Sequence, residues 1–122
     1  MRKYVLPVIG LILFSLVSTA NAMTLLLKDY QSPKNEDEKA VAKLWLDGVK
    51  EGLITFNSQL ELEGRQPLFC LPGKLALTVE QAEDIMMRDA DIARKVTDPG
   101  RFLISTILLH GLKDTFPCGE KH

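Results

Sequence analysis

The chain has 122 residues, of which 15 are basic and 16 acidic, and its formal net charge is −1. A chain of this length is expected to form one domain. Because there is no basic excess to neutralise phosphates, nucleic acid is not expected as a partner.

The first 22 residues have the three-part layout of a secretory signal peptide. Arg2 and Lys3 give a positive start, residues 5–17 are almost entirely apolar, and residues 20–22 form an A-x-A cleavage site. The apolar run is shorter than the roughly 20 residues that a membrane-spanning helix needs. We therefore predict a cleaved signal peptide at 1–22. The alternative is an uncleaved membrane anchor.

The remaining chain, 23–122, is predicted to be a single exported domain of 100 residues. Removing the two basic residues of the leader from the total of 15 leaves 13 basic residues against 16 acidic ones, a net charge of −3. No later segment is long and apolar enough to span a bilayer, so no membrane contact is expected after cleavage. The expected location is the periplasm.

Export places the two cysteines under oxidising conditions, where paired thiols tend to form a disulfide. Cys70 and Cys118 permit one intramolecular pairing, with 47 residues between them. The chain-entropy model gives about 4 kcal/mol of stabilisation for a loop of that size. We predict that this bridge anchors the C-terminal tail.

The first predicted helix covers residues 39–60, and Asn35 followed by Glu38 resembles a capping box before it. Gly48 and Gly52 lie four residues apart on its apolar face, and each costs about 1 kcal/mol relative to alanine. Close approach of another helix, within the monomer or between copies, would explain them. The alternative is a bent helix that tolerates them. The other residues of this face are Val41, Leu44, Trp45, Val49, Phe56 and Leu60.

An irregular connection at 61–76 carries Cys70, and Thr78 with Gln81 then forms a capping box for the second helix. The predicted buried stripe of that helix consists of Ala82, Ile85, Met86, Ala90, Ala93 and Val96. The turn "TDPGR" ends it, with Pro99 at the first position of a third helix. The apolar stripe of the third helix consists of Leu103, Ile104, Ile107, Leu108 and Leu112.

No hairpin signal and no internal repeat accompany these helices. The sequence therefore predicts an all-α, single-domain helical bundle stapled by one disulfide.

No residue pattern predicts an enzyme. Cys118 with His110 or His122 would be a Cys–His nucleophile pair, but a thiol held in a disulfide is not a nucleophile. The spacing of the two cysteines and two histidines matches no zinc pattern. We therefore expect no catalytic residue, no metal site and no cofactor.

Three stretches resemble one protein family: "LWLDGVKEGLITF", "FCLPGKLALTVEQ" and "LISTILLHGLKDTFPC". Together, over residues 40–118, they are similar to the Rap/Tai family of bacterial immunity proteins, which protect against type VI secretion amidases. The residues that carry the resemblance are Gly48 and Gly52, Cys70 and Pro72, Leu77, Thr78 and Gln81, and finally Phe116, Pro117 and Cys118.

The resemblance implies a periplasmic, helical immunity domain at 23–122 that acts as a homodimer. Its partner would be a cell-wall amidase with a papain-like Cys–His site, and it would block the cleft of that toxin by steric occlusion. The alternative is a small periplasmic protein-interaction module of the same fold without a toxin partner.

The segment "DIARKVTDPGR", residues 91–101, is the candidate for entry into the toxin. It is polar, tightly turned and flanked by helices on both sides, although an ordinary surface turn would look the same. Asp98 and Arg101 would form charge-assisted hydrogen bonds in a desolvated cleft. The predicted partner-binding residues are Asp91, Arg94, Lys95, Thr97, Asp98 and Arg101.

Overall fold

The computed structural model describes residues 24–73 and 75–119, so the predicted signal peptide at 1–22 lies outside the described residues. Within that part of the chain the fold is all-α, as predicted, and strands are absent apart from one isolated bridge between Leu26 and Leu103. The elements are α1 (Leu27–Tyr30), α2 (Glu36–Leu62), α3 (Val79–Ala93), a 3₁₀ turn (Pro99–Arg101) and α4 (Ile104–Thr115). None of the described helices combines the length and apolar character that crossing a membrane requires.

The predicted caps define where the two longer helices begin. The backbone N–H of Glu38 donates to Asn35 Oδ1 over 2.8 Å, while the Glu38 carboxylate accepts from the backbone of Lys34 rather than Asn35. The start of α2 is therefore capped by a variant of the predicted box. Thr78 and Gln81 form the complete box at the start of α3.

The apolar face that the sequence predicts on α2 is not the face that packs on the core. Of the six apolar side chains predicted on this face, Leu60 is buried and Val49 is half-buried. The other four lie exposed at the surface: Val41, Leu44, Trp45 and Phe56. The buried residues of α2 are Leu46, Lys50, Asn57 and Leu60. At 100° per residue this buried strip lies about 140° around the helix axis from Gly48 and Gly52.

The core forms where α3 packs against α4. A Cβ atom built at Gly111 would lie 2.8 Å from Ile85 Cγ2 and 3.2 Å from Asp89 Cβ, so only glycine allows this close contact. The predicted stripes of α3 and α4 are largely confirmed, except that Leu103 immediately precedes α4 and is 38% exposed, and that Val96 is exposed as described below. The residues of the two stripes that are buried are Ala82, Ile85, Met86, Ala90, Ile104, Ile107, Leu108 and Leu112.

Val96 departs from the predicted stripe, because α3 ends at Ala93 and the helical period does not extend to it. Its side chain is 91% exposed. Pro99 begins a 3₁₀ turn rather than a long third helix, and Asp98 caps that turn by accepting from the backbone of Gly100. The α-helix resumes only at Ile104.

The short helix α1, which was not predicted from the sequence, contacts the chain between the 3₁₀ turn and α4. The backbone N–H of Leu27 donates to the Phe102 carbonyl over 2.9 Å, and that of Ile104 donates to the Leu25 carbonyl over 3.1 Å. The Tyr30 hydroxyl donates to the Glu83 carboxylate of α3. These contacts hold α1 across the ends of α3 and α4.

The predicted disulfide is present between Cys70 and Cys118, whose Cα atoms are 4.9 Å apart. The backbone N–H of Cys70 also donates to the Phe116 carbonyl over 2.8 Å. The bridge therefore joins the connection before α3 to the tail after α4.

Asn57 holds the same connection from the side of α2. Its Nδ2 donates to the Phe69 carbonyl over 2.7 Å, and its Oδ1 accepts from the backbone of Leu68 over 2.7 Å. The Asn57 side chain is buried, so its amide satisfies backbone groups that would otherwise lack partners away from water.

Replacing Cys118 with serine is expected to destabilise the domain. The loss should be about 2–4 kcal/mol, which corresponds to a fall in melting temperature of about 10 °C or more. Thermal unfolding followed by circular dichroism in oxidising buffer measures it. The wild-type protein treated with reductant is the control and should unfold at a similarly lowered temperature. An unchanged melting temperature would mean that the bridge contributes nothing.

Replacing Asn57 with alanine should lower the free energy of unfolding by about 2–3 kcal/mol, because the Phe69 carbonyl and the Leu68 amide lose their buried partner. Gln31→Ala is the matched control, since the Gln31 amide is exposed and donates only to the Met87 sulfur. Its effect should stay within about 0.5 kcal/mol. Equal effects in urea titrations of the two variants would contradict the role given to Asn57.

Candidate partner-binding site

Residues 91–101 comprise the last turn of α3, the loop that follows it and the 3₁₀ turn, and we call this segment the junction. The end of α3 is closed by backbone hydrogen bonds from Arg94 to the Ala90 carbonyl at 2.9 Å and from Thr97 to the Ala93 carbonyl at 3.0 Å. Asp98 Oδ1 then accepts from the backbone of Gly100 at 3.0 Å. The junction is thus hydrogen-bonded at both ends.

One side of the junction rests on α1. Pro99 is buried. A Cβ atom built at Gly100 would lie 3.3 Å from Lys28 Cβ and 3.1 Å from Asp98 Oδ1, so Gly100 is closely packed. The chain therefore turns against a fixed support, and its opposite side points to solvent.

All six residues predicted to bind a partner are exposed on this turn: Asp91, Arg94, Lys95, Thr97, Asp98 and Arg101. Val96 is the most exposed aliphatic side chain of the junction, at 91%. It was not predicted as a binding residue, because the helical period places it in the buried stripe. Ile92, 58% exposed, lies on the last turn of α3 nearby. A sequence signal for the end of α3 would have placed Val96 outside the buried stripe. No glycine or proline between Ala93 and Pro99 marks that end.

The junction carries three basic and two acidic side chains. Arg94 Nη1 lies 3.7 Å from Asp91 Oδ1, a weak and exposed ion pair. The Arg101 guanidinium lies 5.8 Å from the centre of the Phe102 ring. Lys95 forms no ion pair within the described part of the chain. The cationic groups can therefore reach acceptors on another protein without breaking a strong contact.

Near the junction, a hydrogen-bonded pair joins α3 to α4, in which the Asp89 carboxylate is buried and the His110 imidazole is exposed. His110 Nδ1 lies 2.7 Å from Asp89 Oδ1 and 3.6 Å from Asp114 Oδ2, and Asp89 is only 6% exposed. The hydrogen bond to Asp89 and the charge of that carboxylate raise the pKa of His110 above its usual value. Asp114 adds to this shift, while partial burial and Lys113 oppose it.

One ligand atom from each of Asp89, His110 and Asp114 lies within 4.8 Å of the others. Two of the three side chains are exposed, and the imidazole supplies a hydrogen-bond partner for the buried carboxylate. The arrangement is accounted for as a contact between helices.

The residues of the Cys–His alternative are engaged elsewhere. Cys118 is bonded to Cys70, so neither thiol is free. His110 is paired with Asp89. His122 lies outside the described residues. While the bridge is intact, neither sulfur can act as a nucleophile.

Gly48 and Gly52 both lie at the surface of α2. No described atom outside the helix's own neighbouring backbone lies within 4 Å of a Cβ atom built at either position. Close packing of another helix within the monomer is therefore not found among the described residues, and packing between copies stays a prediction. A shallow groove of about 350 Å³ lies beside Gly48, lined by Val41, Leu44, Trp45, Gly48 and Val49.

Compared with known proteins, the chain matches no protein-family model, no curated protein and no solved structure.

Replacing His110 with glutamine should remove a pH-dependent part of the stability. Because folding raises the pKa of His110, its contribution is fully present below the unfolded value of about 6.5 and is lost as pH rises through the folded value. We expect the variant to be less stable than wild type by up to about 1 kcal/mol at pH 5.5, with a smaller difference at pH 8.5.

Urea titrations at the two pH values measure this difference. Asp114→Asn is the control and should have a smaller effect, since Asp114 is exposed and more distant from the ring. A difference between wild type and His110→Gln that is the same at both pH values would contradict the assignment.

Proposed function

We propose that this protein is a periplasmic immunity protein that binds a type VI secretion peptidoglycan amidase and blocks its cleft without performing a reaction. It would protect the cell from its own toxin or that of a sibling. The observation that carries this proposal is the junction, a supported turn that projects one aliphatic side chain framed by charged ones. The resemblance of residues 40–118 to the Rap/Tai family supplies the class of partner.

Obstruction favours a rigid element, because ordering a flexible loop on binding would cost about 0.5–1.5 kcal/mol per immobilised side chain. The junction is hydrogen-bonded at both ends, and Pro99 and Gly100 are packed against α1. The junction would therefore lose little conformational entropy when it enters a cleft. The affinity can then come from contacts made in the complex.

The side chains of the junction suit a cleft that contains a Cys–His site. Val96 is 91% exposed and would replace water in the apolar part of such a cleft. Lys95 and Arg101 would donate charge-assisted hydrogen bonds to carbonyl or carboxylate oxygens at its rim. In this arrangement the inhibitor contributes shape and hydrogen bonds but no reacting group.

The bond between Cys70 and Cys118 supports the proposed location. Disulfides persist in oxidising compartments, which include the bacterial periplasm and exclude the reducing cytosol. A peptidoglycan amidase acts in the same compartment. The sequence pattern of a signal peptide at 1–22 is consistent with that route.

The first test is whether a peptidoglycan amidase is encoded beside this gene. If one is, that amidase is assayed with this protein purified from the periplasm. We expect near-stoichiometric inhibition of peptidoglycan cleavage and a complex on size exclusion. Val96→Asp should weaken binding at least tenfold, about 1.4 kcal/mol, because it places a charge in the apolar part of the contact.

Leu62→Asp is the matched control, because Leu62 is an exposed aliphatic residue at the far end of α2, 84% exposed. It should bind within threefold of wild type. Binding that both substitutions leave unchanged would move the contact away from the junction. Absence of both complex and inhibition would favour the interaction module without a toxin partner.

A further inference from the structure

A cleft of about 440 Å³ lies between α1, α2 and α3, away from the residues of the junction. Sites for small molecules usually have volumes of about 300–1,000 Å³, with apolar walls and a few fixed polar groups. This cleft has both kinds of surface, contributed by three separate parts of the chain. The side chains that bear on its chemistry are Tyr30, Pro33, Lys39, Ala42, Glu83 and Met87.

Glu83 provides a half-buried carboxylate in the wall of the cleft. The Tyr30 hydroxyl donates to it, and burial together with this hydrogen bond raises the pKa of Tyr30, so the hydroxyl keeps its proton. Glu83 forms no ion pair with the described residues, since the ammonium of Lys43 is bound to Glu80 at 3.1 Å instead. A carboxylate accepts several hydrogen bonds, so Glu83 retains capacity for an ammonium group from outside the chain.

The α2 wall of the cleft carries the opposite charge. Lys39 Nζ lies 3.7 Å from Glu36 Oε2, and both side chains are largely exposed, so this ion pair is weak. The ammonium of Lys39 can therefore turn to a carboxylate in the cleft at little cost. Apolar surface comes from Pro33, Ala42 and Met87, which are all half-buried.

We propose that this cleft binds a small zwitterion, an amino acid or dipeptide with an apolar side chain. The ligand ammonium would donate to Glu83, its carboxylate would accept from Lys39, and its side chain would cover Met87 and Ala42. A ligand with only one of the two charges would leave one wall of the cleft without a partner. The inference does not depend on the proposed amidase partner.

Two adjacent methionines of α3 provide the readout. Met87 lines the cleft, while Met86 is fully buried in the core. Protein with labelled methionine methyl groups, purified from the periplasm of cells expressing the full chain, is titrated with dileucine and followed by NMR. The Met87 methyl signal should shift saturably, with a dissociation constant of about 1 mM or below, and the Met86 signal should stay in place.

Blocked forms of the same dipeptide test the two charges separately. N-acetyl-dileucine lacks the ammonium and dileucine amide lacks the carboxylate, so each should bind at least about tenfold more weakly than dileucine. Leucine distinguishes an amino acid from a dipeptide as the preferred ligand. Equal binding of the blocked and free dipeptides would overturn the proposal, as would a Met87 signal that neither leucine nor dileucine shifts at about 10 mM.

Glu83→Gln should weaken the binding of dileucine at least about tenfold. Glutamine can still accept from the Tyr30 hydroxyl, so the variant should fold, which its unfolding temperature checks. Asp84→Asn is the matched control, because it removes the same charge from the next residue of α3, which is exposed and does not line the cleft. It should bind dileucine within about threefold of wild type.

Lys39→Gln completes the assignment. It should weaken the binding of dileucine but leave that of dileucine amide unchanged, because the amide has no carboxylate for Lys39 to bind. Dileucine binding that both Glu83→Gln and Lys39→Gln leave unchanged would place the ligand elsewhere and overturn the proposed site.

Discussion

A Cβ atom at position 111 would lie 2.8 Å from Ile85, so α3 and α4 can pack as closely as they do only with glycine there. This contact sets the spacing of the two helices, and the spacing sets the geometry of the turn between them. It also brings Asp89 within hydrogen-bonding distance of His110, so that a buried carboxylate has a partner on the opposite helix. The exposed junction thus connects two helices that are held at close distance in the core.

Two sides of the long helix α2 carry apolar residues but lie in different surroundings. On the core side, Leu46 and Leu60 are buried, and Asn57 binds the backbone of the connection that carries Cys70. On the other side, Val41, Leu44, Trp45 and Phe56 are exposed to solvent.

The all-α class, the disulfide and the cap of α3 were predictable from sequence, because each depends on local chemistry or on the number of available cysteines. The side of α2 that packs on the core was not predictable from the sequence. Periodicity identifies an apolar face but does not say what covers it, and the buried strip of α2 includes Lys50 and Asn57, which an apolar pattern cannot detect. Val96 was misassigned for a related reason. Its position fits the helical period of α3, but the helix ends at Ala93 and the backbone turns there. The six predicted junction residues do lie together, since they are contiguous in sequence and need no long-range information.

The covalent link between residues 70 and 118 encloses α3, the junction and α4 in one ring, with the junction at the far side from the bond. A protease that cleaved the exposed backbone between Arg94 and Lys95 would open this ring without separating the two pieces. The severed helices would stay tethered at their other ends, where Cys70 and Cys118 are joined, and could re-close on their shared core. The exposed junction thus lies at a place where a single cut leaves the molecule in one piece.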